Sequence, residues 1–216
     1  AGATLVPTAE LRDFIGQRGF RHPVHLARAV DPARFSPTRR DSTLRADWGL
    51  TDTDLAVIYV GRIAAEKNLG LAVRAFRAIQ QQRPDARFIW VGEGPQRAPL
   101  AQANPDFIFC GLQRGEQLAR HFASGDLFLF PSRSETFGNV TLEAMASGVP
   151  TVAFNYGAAR EHLRSGLHGA AVDDDAAFID AAVALATHNS TRQQQGRAAR
   201  AAMQRLHPDQ VAAAFE

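Results

Sequence analysis

PSRSETFGNVTLEAMASGVPT, residues 131–151, is the stretch that decides the fold. An apolar run, Leu127 to Phe130, feeds into it. An Ala-rich helical run leaves it from Asn139 and stops at Gly148-Val149-Pro150. Strand, Gly-containing turn and helix start, in that order, place free backbone N–H groups and the positive end of a helix dipole at one spot, which suits a phosphate. Glu135 and Glu143 stand eight positions apart around this turn. Ionised carboxylates only accept hydrogen bonds, so a ligand carrying hydroxyls beside its phosphates, such as a nucleotide sugar, fits.

Outward from this stretch, short apolar runs alternate with helical ones. Leu55 to Val60, Arg87 to Val91, Phe107 to Cys110, Thr151 to Phe154 and Gly169 to Val172 read as strands. Leu69 to Gln82 carries Leu69, Ala72, Val73, Phe76 and Ile79 at helical spacing. Further helices are expected through Ala103, from Gln113 to Ala123, from Asn139 to Ser147 and, as a short piece, from Glu161 to Ser165. Gly92-Glu93-Gly94-Pro95 reads as a turn with Pro95 at the first helical position. This alternation argues an α/β fold: a Rossmann-like, doubly wound parallel sheet with helices on both faces. In such sheets ligands bind outside the carboxyl ends of the strands. That rule gathers Arg62, Gly92, Gly111 and Glu135 on one edge, because each follows a strand.

The two ends read differently. Residues 1–28 hold a further strand-helix-strand pattern, and the Pro-rich stretch 29–40 reads as a linker. The main domain is expected over 41–206, ending in two helices broken near His188-Asn189-Ser190, and a last helix, Asp209 to Phe215, over 207–216. The opening resembles the tail of a preceding unit, so the chain is expected to be a piece of a larger protein.

Composition narrows the function classes. With 216 residues, 45% hydrophobic and 21% charged, the chain has the makeup of a globular domain with a full core. No run approaches the roughly 20 apolar residues of a membrane helix. A net charge of +2, with scattered arginines, does not argue for nucleic acid. Arg12, Arg18, Arg21 and Arg28 form a weak basic cluster. Its plain reading is solvated surface, and the alternative is peripheral contact with an anionic acceptor or membrane. The lone Cys110 fits a reducing compartment, so the expected location is the cytoplasm, with the inner face of the membrane as a variant. The seven histidines show no metal-ligand spacing, and neither a metal nor another cofactor is expected.

Two sites carry candidate chemistry. Gly61-Arg62-Ile63-Ala64-Ala65-Glu66-Lys67-Asn68 follows a strand and precedes a helix. Lys67 is the one lysine in the chain. Arg62, by a fork, and Lys67, as a compact charge, can both reach a diphosphate from this loop. The competing reading pairs both cations with Glu66 at the surface. At the second site Glu143 falls in the second helical turn and can accept two hydrogen bonds from ribose hydroxyls. Glu135 can do the same for a sugar, and the N–H groups around Gly138, Asn139 and Val140 can meet phosphate oxygens.

These motifs resemble a known family. G-R-x-x-x-E-K-N after a strand, G-x-G-P after the next, S-x-x-E-x-F-G-x-x-x-x-E-A-M-A-S-G-x-P-T, and V-D-x-x-x-F-x-P at Val30 to Pro37 are similar to family 4 retaining glycosyltransferases of the GT-B fold. The resemblance spans about residues 24–185. It implies a donor-binding domain beside an N-terminal acceptor domain. Gly61, Arg62 and Lys67 would hold the donor diphosphate, and Glu135 the donor sugar, with backbone amides near Phe137, Gly138, Asn139 and Val140. Glu143 would hold the ribose, and Cys110, Gly111 and Leu112 would lie by the base. Arg62, Lys67 and Glu135 would be the catalytic set, acting without a metal. The segment around Glu135 is most similar to bacterial enzymes that use GDP-mannose or a UDP-sugar to glycosylate lipids or glycans. Tyr156-Gly157-Ala158-Ala159 departs from the family's common Gly-Gly pair. Alternatives are a nucleotide-sugar-binding module without transfer, or an epimerase or phosphorylase on the same fold.

Overall fold

A computed structural model describes residues 2–135 and 137–213. The chain opens with β1 (Thr4–Val6), α1 (Ala9–Gln17) and β2 (Pro23–His25). β1 and β2 pair in parallel as a separate two-stranded sheet. A 3-10 turn at Pro37–Arg39 leads to α2 (Ser42–Asp47). The main sheet then runs through β3 (Ala56–Val60), α3 (Leu69–Gln82), β4 (Arg87–Val91), α4 (Arg97–Ala103), β5 (Ile108–Phe109), α5 (Gly115–Ser124) and β6 (Leu127–Phe130). It continues through α6 (Asn139–Ala146), β7 (Thr151–Phe154), α7 (Gly157–His162) and β8 (Gly169–Val172). Helices α8 (Asp175–Thr187), α9 (Asn189–Met203) and α10 (Pro208–Ala213) complete the described chain. The expected last helix runs on to Phe215, which lies outside the described residues.

The six strands lie in the order β5-β4-β3-β6-β7-β8, every pair parallel. The chain starts in the middle at β3, winds out to β5, then returns to β6 on the other side of β3. The sheet is therefore doubly wound, with its topological switch between β3 and β6.

Both faces are covered, which is why the strands read as unbroken apolar runs. Alternate side chains of β3 go to opposite cores. Val57 and Tyr59 pack with Leu71, Phe76, Ile79 and Phe178 from α3 and α8. Ile58 and Val60 pack with Phe122, Leu142 and Met203 from α5, α6 and α9. Fully burying a side chain of this size contributes about 1.5–3 kcal/mol. Val30 and Phe35, from the Pro-rich stretch, are buried in the second core, so this segment is packed onto the domain. Among the described residues no helix is long and apolar enough to cross a membrane.

Four elements differ from expectation, the first being β5, which keeps only Ile108–Phe109 of the expected Phe107 to Cys110. Pro95 stands ahead of α4, which begins at Arg97, because residues 92–96 are spent on cross-loop bonds such as Gln96 N–H to Ile63 O at 3.0 Å. α7 spans Gly157–His162 and not Glu161–Ser165. Its start is fixed from outside, where Ala158 N–H donates to Phe137 O at 2.7 Å. A Cβ on Gly157 would stand 2.5 Å from that same oxygen, so the contact requires glycine. α2 has no apolar periodicity to announce it. It exists to deliver Arg45.

Arg45 is fully buried and fully bonded. It donates to Ser124 O at 2.8 Å, Thr51 O at 2.7 Å, Asp54 O at 2.8 Å and Asp126 Oδ2 at 3.0 Å. Asp126 Oδ2 also accepts from Ala56 N–H at 2.8 Å. One guanidinium thus ties α2, the end of α5 and the starts of β3 and β6. Removing one partner of a buried pair costs about 3–5 kcal/mol. Arg45→Ala is therefore expected to lose that much unfolding free energy in denaturant titration, and a loss under about 1 kcal/mol would contradict the role given to it.

Candidate functional site

The site grows from the carboxyl ends of the strands. Beyond β3 and β4 the ladder continues into their loops, with Gly61 N–H to Val91 O at 3.0 Å and Ile63 N–H to Glu93 O at 3.0 Å. Such close backbone contact excludes a side chain at Gly92, whose Cβ would stand 1.9 Å from Gly61 O, at a φ of +143°. The buried Tyr59 hydroxyl donates to Arg62 O at 2.9 Å and holds the loop from below. Burial raises the Tyr59 pKa, and the nearby charges of Glu135 and Glu66 raise it further, so the hydroxyl stays a donor. The loop ends in a single 3-10 turn, Ala65–Lys67, and a left-handed Asn68 at φ +55°.

Across the switch stands the loop after β6. Lys67 Nζ donates to Glu135 Oε1 at 2.5 Å and to Ser134 O at 3.3 Å. Asn68 Nδ2 donates to Pro131 O, and Ser134 Oγ to Glu66 O, both at 3.3 Å. Four bonds thus clasp two loops far apart in sequence. The side chains of Lys67 and Glu135 are 16% and 19% exposed, so their ion pair is sheltered but open to a ligand. Arg62 lies on the same loop but pairs with Glu66 at 3.3 Å and projects a side chain that is 65% exposed. The surface pairing read from sequence is therefore found for Arg62. Lys67 faces Glu135.

The β6 loop runs through Gly138 into α6, where Thr141 N–H closes the first turn on Gly138 O at 3.0 Å. The N–H groups of Asn139 and Val140, in the first turn, have no partner inside the helix by geometry. Phe137 is buried beneath them. One turn on, Glu143 is half-buried among Leu142, Ala144 and the other core residues of α6, with no hydrogen-bond partner among the described residues. Burial pushes its pKa up to about 7. A carboxylate in that setting calls for a donor.

The third wall comes from β5. Gly92 N–H donates to Gly111 O at 2.8 Å, and Gln113 Nε2 to Cys110 O at 2.7 Å. Cys110 turns toward the core, where burial pushes its thiol up to about 11, so its side chain is packing. Leu112 is exposed on the rim. A cavity of about 550 Å³ opens here between Val60, Arg62, Glu93, Pro95, Leu112 and Gln113. A cavity of about 580 Å³ lies at the opposite pole of the sheet, beside Asp126 and Pro150. The arginines there serve helix ends: Arg192 donates to Leu185 O and Ala186 O, and Arg200 to Ala146 O, each at 2.9 Å. The strand-end rim, where Lys67 meets Glu135, is the candidate site. Tyr59 and Glu93 were not singled out in the sequence, since a buried Tyr in a strand and a Glu in a turn look ordinary.

Comparison with known proteins follows this geometry. The profile of the family described as glycosyl transferases group 1 matches residues 54–188. A GDP-mannose-dependent alpha-mannosyltransferase of Corynebacterium glutamicum is 36% identical over 170 residues, covering 79% of this chain and 40% of the relative. One from Mycolicibacterium smegmatis is 36% identical over 202 residues, covering 93% and 52%. The chain thus spans about half the length of these relatives or less. Among solved structures, Anabaena HepE in complex with UDP superposes with a TM-score of 0.86 at 21% identity, over 100% of this chain and 62% of that one. Sucrose-phosphate synthase from Thermosynechococcus elongatus gives 0.84 at 23%, over 100% and 57%. At these identities the superpositions speak for the fold: a parallel α/β sheet of the kind found in GT-B glycosyltransferases.

The half-buried Glu143 has a consequence that titration reads. Its carboxyl moves from an ordinary 4.5 to about 7 on folding. Between those values the native protein keeps a proton that the unfolded chain releases, so stability falls as pH rises through this window and levels off above it. Glu143→Gln removes the effect. Its melting temperature relative to the wild type is expected to climb between pH 5 and pH 8, whereas a difference independent of pH would contradict burial of the carboxylate.

Proposed function

The chain belongs to the glycosyl transferases group 1 family, and from that premise we propose that it holds the nucleotide-diphosphate-sugar donor of a retaining hexosyltransferase. The observation that carries this is the Lys67–Glu135 pair: a cation and an acid placed face to face at the switch of a doubly wound sheet. In this reading Arg62 and Lys67 hold the diphosphate, beside the backbone of Gly61 and the first N–H groups of α6. Glu135 accepts hydroxyls of the donor sugar, with Phe137 and Gly138 shaping the loop. Glu143 accepts the ribose hydroxyls, and the rim at Cys110, Gly111 and Leu112 meets the base. The family relatives named above support GDP-mannose as the donor, with a UDP-sugar as the alternative.

The chemistry follows from the charges. Breaking the bond between sugar and diphosphate builds negative charge on the leaving oxygen. Arg62, which turns from Glu66, and Lys67, which leaves Glu135, would stabilise it once the donor is bound. Before the donor arrives, Glu135 is the counter-ion of Lys67. An entering phosphate takes over Lys67 and frees the Glu135 carboxylate for the sugar. Transfer with retention then proceeds by attack of the acceptor on the same face as the leaving group. Ribose hydroxyls donated to Glu143 favour its ionised form.

The domain division is part of the proposal. Residues 1–28, with their own small sheet, an α1 that buries no residue, and exposed Leu5, Phe14 and Phe20, are assigned to the acceptor side. Residues 29–40 connect them to the donor domain at 41–206, and the last segment, 207–216, carries the C-terminal helix, whose Pro208 and Val211 line a cavity with Leu5 and Leu26. An acceptor lipid or glycan would engage that side, and exposed Arg18, Arg21 and Arg28 suit an anionic or membrane-borne one.

Lys67→Ala tests the reading. A hydrogen bond to a charged group contributes about 1.5–3 kcal/mol, so calorimetry with GDP is expected to show at least about tenfold weaker binding. An unchanged affinity in a folded variant would refute the phosphate role.

A further inference from the structure

We propose that Glu93 selects the base, making the cavity between the β3, β4 and β5 loops a guanine site that rejects uracil; this rests on the donor-site reading above. The cavity of about 550 Å³ has apolar walls, Val60, Val91, Pro95, Leu112 and Leu118, and few polar groups aimed into its mouth. That is the character of a site for a flat heterocycle. Leu112, 57% exposed, offers an apolar surface on which such a ring can lie.

Glu93 supplies the discrimination. Its carboxylate lies against the turn after β5, where a Cβ on Gly111 would stand 3.4 Å from Glu93 Oε1. Arg97 Nε stands 3.4 Å from that oxygen, too poorly aligned to count as a hydrogen bond, so the ion pair leaves the acid unsaturated. Gln113 gives its Nε2 to Cys110 O, and no donor among the described residues reaches its Oε1. Arg62 lines the same cavity but is turned to Glu66, so Glu93 and Gln113 supply its acceptors on the Gly111 side. Guanine offers two adjacent donors on its Watson–Crick edge, N1–H and the N2 amino group, which match one carboxylate in bidentate fashion. Uracil offers a single N–H flanked by two carbonyls. A carboxylate set there leaves one oxygen facing another acceptor, and a site built to hydrogen-bond rejects the partner that leaves its groups unmatched.

The experiment is calorimetric binding of GDP, IDP and UDP to the wild-type chain, Glu93→Gln and Lys67→Ala. IDP is GDP without the 2-amino group on its base. The wild type is expected to bind GDP at least tenfold more tightly than IDP or UDP. Glu93→Gln, at a side chain 52% exposed, should fold normally and lose at least tenfold in GDP affinity while UDP changes less than threefold. Lys67→Ala should weaken all three alike. Equal loss for GDP and UDP in Glu93→Gln, a GDP-over-IDP preference that survives it, or a wild type that prefers UDP would each overturn the guanine assignment. If only Lys67→Ala behaves as expected, the base inference fails alone. If Lys67→Ala weakens none of the three, or no nucleotide binds the wild type, the donor-site reading fails and takes this inference with it.

Discussion

All six strands of the main sheet run in the same direction, so every loop that follows a strand emerges at one rim. At the middle of that rim the winding reverses, and the loops after β3 and β6 leave toward opposite faces with a crevice between them. The four-bond clasp from Lys67, Asn68 and Ser134 joins these two loops across the switch. The contacts that define the site depend on this single topological fact. Had β6 paired on the far side of β5, β4 and β5 would stand between the strands that carry Lys67 and Glu135.

The two poles of the sheet use charge in opposite ways. At the amino ends of the strands, arginines are consumed: Arg45, Arg192 and Arg200 satisfy backbone carbonyls where helices finish, and Asp126 is held between Arg45 and Arg40. Such groups rigidify the frame. At the carboxyl ends, charge is left accessible. Arg62 reaches into solvent, Lys67 is held by a partly exposed acid, and Glu143 has no donor among the described residues.

Much of the fold was legible because parallel strands buried on both faces must be apolar throughout. Leu127–Phe130, Arg87–Val91 and Thr151–Phe154 appear in the structure with the bounds read from their residues. Elements whose ends are set by distant contacts were not legible. α7 begins where Phe137 O receives Ala158, and α4 begins late because Ile63 holds Gln96. α2 escaped notice because its purpose is one buried guanidinium and not an apolar face. In the site, charged residues at loop positions could be named from sequence, since little else explains a lone lysine beside a turn. Tyr59 could not, because its hydroxyl acts through a backbone carbonyl, that of Arg62, which no residue type announces. Nor could Glu93, whose neighbours across the rim come from another strand.

The most direct measurement is a crystal structure of the chain with GDP bound. The β-phosphate should lie within hydrogen-bond reach of Lys67 Nζ, at the mouth of α6, with the Lys67–Glu135 contact opened. A nucleotide seated elsewhere, for instance in the cavity beside Asp126 and Arg192, with Lys67 still on Glu135, would contradict the placement of the donor at the switch of the sheet.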